Sequence, residues 1–297
     1  MVTAEVILPS PALRPYVHHY WLLKSCDTPM SQLILPVSCL KWIFHRKQPF
    51  DVNGVPALRM QAAVVGLYEK AVRVGSAEEV EMITVFFQPY AARMVMDIPL
   101  HAFANASHDL EQLEDRELRV LKARVLEAPT LADAIARIEE FIVRRLVRTQ
   151  DSPYFQPLVK VFGQMRDRAK VRIDELAATA CLSERQFRRV FKEQVGTSPK
   201  QLLRLQRFRQ ATNLLLQSGG RQFDTLLYQY GFTDHSHFNH EFHEIAGMCP
   251  TEYLRYLEQG GHSACLPFVP QGGTLTACCP QSFPAVCRYL GKVSDKA

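Results

Sequence analysis

The chain has 297 residues, 47% hydrophobic and 22% charged, which is the size of about two globular domains of roughly 100 to 200 residues each. No stretch approaches the ~18 apolar residues of a membrane span, and the start "MVTAEVILPS" lacks a signal peptide's basic and apolar parts, so a cytoplasmic protein with no membrane partner is expected. The net charge of +5 is uneven: residues 154–257 hold 15 Lys and Arg against 10 Asp and Glu, whereas residues 1–153 hold 17 against 18.

Residues 6 to about 105 read as short strands. "AEVILPS", "LRPYVHHYWLL", "QLILPV", "LKWIFHRK", "MQAAVVGLYE" and "EMITVFFQ" are rich in Val, Ile, Phe, Tyr and Trp and are broken by Pro, Gly, Asn and Ser. Regular short strands predict a β sandwich or small barrel. Next, "TLADAIARIEEFIVRRLVR" sets Leu131, Ile135, Ile138, Ile142 and Leu146 on one face of an amphipathic helix. That seam packs either on its own barrel or on a second copy, and it is taken as the candidate dimerisation element. "TQDSPYF", polar and proline-containing, reads as an interdomain linker.

From residue 154 the pattern is helical throughout, and it repeats. Phe187, Phe191, Gly196 and Pro199 recur at an offset of 51 as Phe238, Phe242, Gly247 and Pro250, an internal duplication. In the first copy Ser183 is a good N-cap for "ERQFRRVFKEQV" and Gly196 a good terminator. One face of that helix is apolar. The other carries Arg185, Arg188, Arg189 and Lys192, whose guanidinium forks suit guanine or phosphate. A short helix, a turn and an exposed basic helix together match the helix-turn-helix.

The second copy, "GFTDHSHFNHEFHEIAGMCP", has four histidines in nine positions. The offset places Ser236, Asn239, His240 and His243 where the first copy has its four cations, beside His235 at the helix start. The histidines are therefore read as packing or base-reading groups, and no metal site is expected among them.

These residues resemble the AraC/XylS family of bacterial transcription regulators over roughly residues 158 to 257. The resemblance rests on "DELAATACLSERQFRRVFKEQVGTSP", on "RFRQA" and on the signature Gly231, Phe232, His237, Phe238, Phe242, Gly247 and Pro250. It implies two helix-turn-helix units on double-stranded DNA and a non-enzymatic regulator acting on RNA polymerase at the nucleoid. It also implies an amino-terminal domain that senses a small effector or forms a homodimer. Two positions depart from the pattern: Leu227 stands where a small residue is usual, and Cys249 stands where Ser or Thr precedes the proline. "LRPYVHHYW" and "LPVSCLKWIFH" look, more loosely, like a cupin-like sensory domain.

The expected fold class is α+β in two domains: a β-rich cupin-like amino-terminal domain and an all-α carboxyl-terminal domain with two helix-turn-helix units. The expected divisions are 1–110 for ligand sensing, 111–153 for a helical dimerisation segment, 154–257 for DNA binding and 258–297 for a cysteine-containing tail. No catalytic residue and no cofactor is assigned, and the ligand-binding residues are left open. The eight cysteines contain no C-x-x-C pair, so a disulfide framework is not expected. Two alternatives stand beside this reading. One is thiol or metal sensing by His262, Cys265, Cys278, Cys279 and Cys287 of the tail; the other is a cupin-like metal-binding enzyme domain fused to a DNA-binding domain.

Overall fold

The computed structural model describes residues 2–25, 30–53, 60–149, 152–167, 171–218, 231–259 and 262–264. Two sheets form the amino-terminal half. The six-stranded sheet runs β1 (Val2–Ile7), β2 (Val17–Ser25), β8 (Val80–Phe87), β4 (Lys41–His45), β6 (Ala62–Val65) and β9 (Ser107–Asp109), with all pairs antiparallel. The smaller sheet is ordered β10 (His262–Ala264), β3 (Met30–Ile34), β7 (Val72–Ser76) and β5 (Asp51–Val52). β7 was not among the predicted strands, since "VRVGS" is short and carries Arg and Gly.

Strand alternation sends Tyr20, Leu22, Trp42, Phe44, Ile83, Val85 and Phe87 to one face of the large sheet. There they meet α2 (Arg116–Leu126) and α3 (Leu131–Arg148), with the Trp42 and Phe141 rings 5.9 Å apart. The other face looks towards the small sheet, where Trp21, Leu23, Ile43 and Met82 pack with Val74 of β7.

Thr130 and Asp133 form a capping box that starts α3. Its predicted seam is consumed within the chain. Ile138 and Ile142 are fully buried in the core under the large sheet, and Leu131, Ile135 and Leu146 pack against the same core. The expectation that this seam dimerises the protein is thereby corrected: a sheet with an apolar outer face must be covered, and α3 is the cover. The large apolar residues that α3 leaves outside are Val143, 44% exposed, and Val147, 82% exposed.

Behind β9 the described residues are helical except for β10. α4 (Phe155–Asp167), α5 (Ile173–Thr179) and α6 (Glu184–Val195) precede the 20-residue α7 (Pro199–Ser218); α8 (His235–Ala246) and α9 (Pro250–Glu258) follow it. Leu227, singled out in the sequence, lies outside the described residues, as do Cys265, Cys278, Cys279 and Cys287. α7 belongs to two cores. Leu202 joins a cluster with Phe187, Phe191 and Val195, while Leu205 and Phe208 join another with Phe238, Phe242 and Tyr253. Among the described residues no helix is long and apolar enough to cross a membrane.

Candidate nucleic-acid interface

The two units are built alike. Ser183 accepts the Gln186 N–H while the Gln186 side chain reaches back to the Ser183 N–H at 3.2 Å, a reciprocal cap that fixes where α6 begins. Phe187, Val190, Phe191 and Val195 are buried. The helix ends at Gly196 with φ of 93°, a left-handed turn that glycine alone adopts without cost. α8 repeats this with Asp234 as its cap, accepting the His237 N–H at 2.8 Å, and with Gly247 at φ of 76° as its terminator. Asp234's carboxyl is held below its usual range chiefly by that backbone hydrogen bond.

The cap of α9 is the weak one. Cys249 lies in the N-cap position, and the Glu252 carboxylate accepts its N–H at 2.7 Å.

The outer face of α6 presents Arg185, Arg188, Arg189 and Lys192, all exposed. Arg188 pairs with Glu184 at 3.0 Å and Arg189 with Glu193 at 3.8 Å, each one helical turn away. Exposed pairs of this kind are worth only about 0.3 to 0.5 kcal/mol, so a phosphate or a guanine edge readily replaces them. On α8, His235, Ser236, Asn239, His240 and His243 are likewise exposed. His237 is half-buried: its Nδ1 lies 3.2 Å from Thr233 Oγ1 and its Nε2 3.6 Å from Glu241. Among the described residues no three His, Cys, Asp or Glu side chains are grouped to hold a metal ion.

Pattern reading missed Glu241, which is 5% exposed on the inner face of α8. Arg207 of α7 donates to both its oxygens at 3.2 and 3.0 Å, and Arg204 bridges Glu241 and Glu244. The Arg207 guanidinium also lies 5.0 Å from the Phe232 ring centroid. The signal was present in the duplication: at the offset of 51, Glu241 stands where the first unit has Val190. A charge in a core position demands a partner, and α7 supplies two.

Both units touch the β-rich half. Leu67, Tyr90, Ala91 and Met94 join the core of the first unit, and Leu33 and Leu35 that of the second. The Ala71 N–H donates to the Ile245 carbonyl at 2.7 Å, near the end of α8. A Cβ on Gly196 would stand 3.1 Å from the Leu100 carbonyl oxygen. Each recognition helix is therefore held at its carboxyl-terminal end by the other half of the molecule.

A family model described as a helix-turn-helix domain matches residues 176–256, and one described as a domain of unknown function (DUF6597) matches residues 5–109. A curated relative, the probable transcriptional regulator LumQ of Photobacterium leiognathi, is 23% identical over 178 residues, covering 55% of this chain and 71% of that one. Among solved structures, ToxT of Vibrio cholerae is similar at a TM-score of 0.40 and 13% identity, over 80% of this chain and 97% of that chain. ToxT with a bound unsaturated fatty acid is similar at 0.38 and 12%, over 86% and 94%. With its duplicated units and exposed basic helix, the carboxyl-terminal region holds a helix-turn-helix domain, matched over residues 176–256 and carried behind a β-rich amino-terminal domain, in a chain that is similar to a probable transcriptional regulator.

Proposed function

We propose that this regulator reads a specific duplex by placing α6 and α8 in successive major grooves, and that a small effector held by the β-rich domain controls that reading. The observation that carries the first part is the repeated unit itself, in which a capped helix ends at a left-handed glycine and leaves its polar face outside. α7 joins the units with 20 residues, about 30 Å of helix, against the ~34 Å between successive major-groove faces. RNA polymerase is the partner through which binding would alter transcription.

The alternative of thiol or metal sensing rests on His262, Cys265, Cys278, Cys279 and Cys287, and its four cysteines lie outside the described residues.

The test is selection of genomic fragments on the purified full-length protein. Enriched fragments are expected to share one site, bound at least 10³-fold more tightly than random duplex. Equal retention of all fragments at moderate salt would overturn the specific reading.

A further inference from the structure

The inner face of the large sheet, towards the small sheet, carries more polar chemistry than packing needs. Strand pairing sets three rows on the inner face of the large sheet: His19–Phe86–Lys41, Trp21–Thr84–Ile43 and Leu23–Met82–His45. His19, Thr84 and Lys41 are 3%, 2% and 8% exposed. His19 Nε2 and Thr84 Oγ1 have no hydrogen-bond partner among the described residues. The Lys41 ammonium lies 6.0 Å from the Phe86 ring centroid, and among the described residues no carboxylate lies within ion-pair reach of it. The His19 ring stacks on Phe86 at 4.4 Å and its Nδ1 lies 2.7 Å from that of His18.

Burial lowers both Lys41 and His19, against a smaller upward pull of Cys39 on Lys41, and the charges of His18 and Arg209 lower His19 further. A buried cation with no counter-charge costs several kcal/mol, and an anion is the occupant that offsets it. Size follows from sheet geometry. Lys41 and His19 flank Phe86 on adjacent strands, about 10 Å apart, and Thr84 is about 7 Å along the same strand. A long apolar tail would leave the imidazole nitrogen and the hydroxyl unsatisfied, and a neutral polyol would leave Lys41 uncompensated.

We propose that the interior of the β-rich domain binds a small hydroxy- or keto-carboxylate of about three to six carbons, its carboxylate on Lys41 and its other oxygens on His19 Nε2 and Thr84 Oγ1. This rests on the reading of that domain as the sensor. Arg209, whose charge reaches His19 and Cys39, belongs to α7, the helix that joins the two DNA-reading units, so a ligand here adjoins the element it must influence.

The experiment uses the full-length protein in calorimetry and thermal-shift titrations. The probes are 2-hydroxy- and 2-keto-carboxylates of three to six carbons, their amides, and hexadecanoate. At least one short carboxylate is expected to bind tenfold or more tightly than its amide. Lys41→Met is expected to remove that preference while raising the melting temperature of the ligand-free protein, which shows the variant folded. Thr84→Val is expected to weaken the hydroxy acid several-fold. The site is overturned if no short carboxylate outbinds its amide, or if Lys41→Met leaves binding unchanged; a water-filled interior gives that result. Hexadecanoate binding more tightly, with no response to Thr84→Val, overturns the compact polar class. A carboxylate that binds as expected without changing DNA affinity leaves the site standing and overturns the sensor reading instead.

Discussion

The two helix-terminating glycines separate two costs that usually come together. Gly196 and Gly247 both have positive φ, but a Cβ at Gly247 meets nothing within 4 Å, whereas one at Gly196 presses on the Leu100 carbonyl at 3.1 Å. Gly247→Ala should therefore cost about 1 kcal/mol for the left-handed backbone alone. Gly196→Ala should cost more, because the Leu100 turn must also give way. Urea denaturation of the two variants measures the difference, and equal losses would mean that the Leu100 contact is unimportant. At the same scale, His45 is buried and its imidazole is pulled down to about 4 by burial, while an unfolded histidine titrates near ~6.5. Between those values the unfolded chain binds a proton that the folded chain refuses, so stability falls as pH drops through that window and is flat above it. The urea midpoint should be lower at pH 5 than at pH 7.5, by an amount that His45→Leu reduces; no pH dependence would remove His45 from the account.

At the scale of elements, the recognition helices and their terminators were legible in the sequence because the duplication marks them twice. Phe187, Phe191, Gly196 and Pro199 each have a partner at the same offset, and the spacing survives in α6 and α8. The covering role of α3 was not legible, since periodicity shows that a helix has an apolar face but not what meets it. Ile138 is wholly buried under the large sheet, so Ile138→Asp should abolish folding, at a cost of about 3 kcal/mol or more. A well-folded monomeric Ile138→Asp protein would restore the dimer seam. Sheet partners were hidden for a similar reason: β10 pairs with β3 across more than two hundred residues, and no local signal encodes such a contact. Alternation located β2, β4 and β8 as strands but gave no purpose to the polar residues on their inner face. The charge contrast between α6 and α8 gives a further expectation. Arg188→Ala should weaken binding to a selected site and reduce its salt slope by about one, whereas Asn239→Ala should cost about 1 to 3 kcal/mol at one base position with the slope intact. A flatter slope from Asn239→Ala would reverse the assignment.

For the whole molecule, the consequential feature is that the β-rich domain holds the two helix-turn-helix units through separate contacts. Leu67, Tyr90, Ala91 and Met94 enter the first unit's core. The second unit is held by Leu33 and Leu35, by the Ala71–Ile245 backbone hydrogen bond, by Arg73 over the Tyr256 ring at 5.5 Å and by β10 on the edge of β3. A domain that holds each unit independently sets where both helices lie, and a duplex accepts only the spacing its grooves impose. Leu33 tests this arrangement well, because it is 5% exposed and packs in the core of the second unit. Leu33→Asp should loosen α8 and α9 from the small sheet while leaving the first unit seated. Amide exchange at residues 235–257 should then accelerate tenfold or more, equivalent to about 1.4 kcal/mol of local stability, while residues 184–195 keep their protection. Exchange that rises equally in α6 would show that the units are coupled through α7, whose residues Leu202 and Leu205 sit in the two cores one turn apart. In that case the β-rich domain would grip one rigid body, and an effector would act by moving both recognition helices together instead of by changing the distance between them.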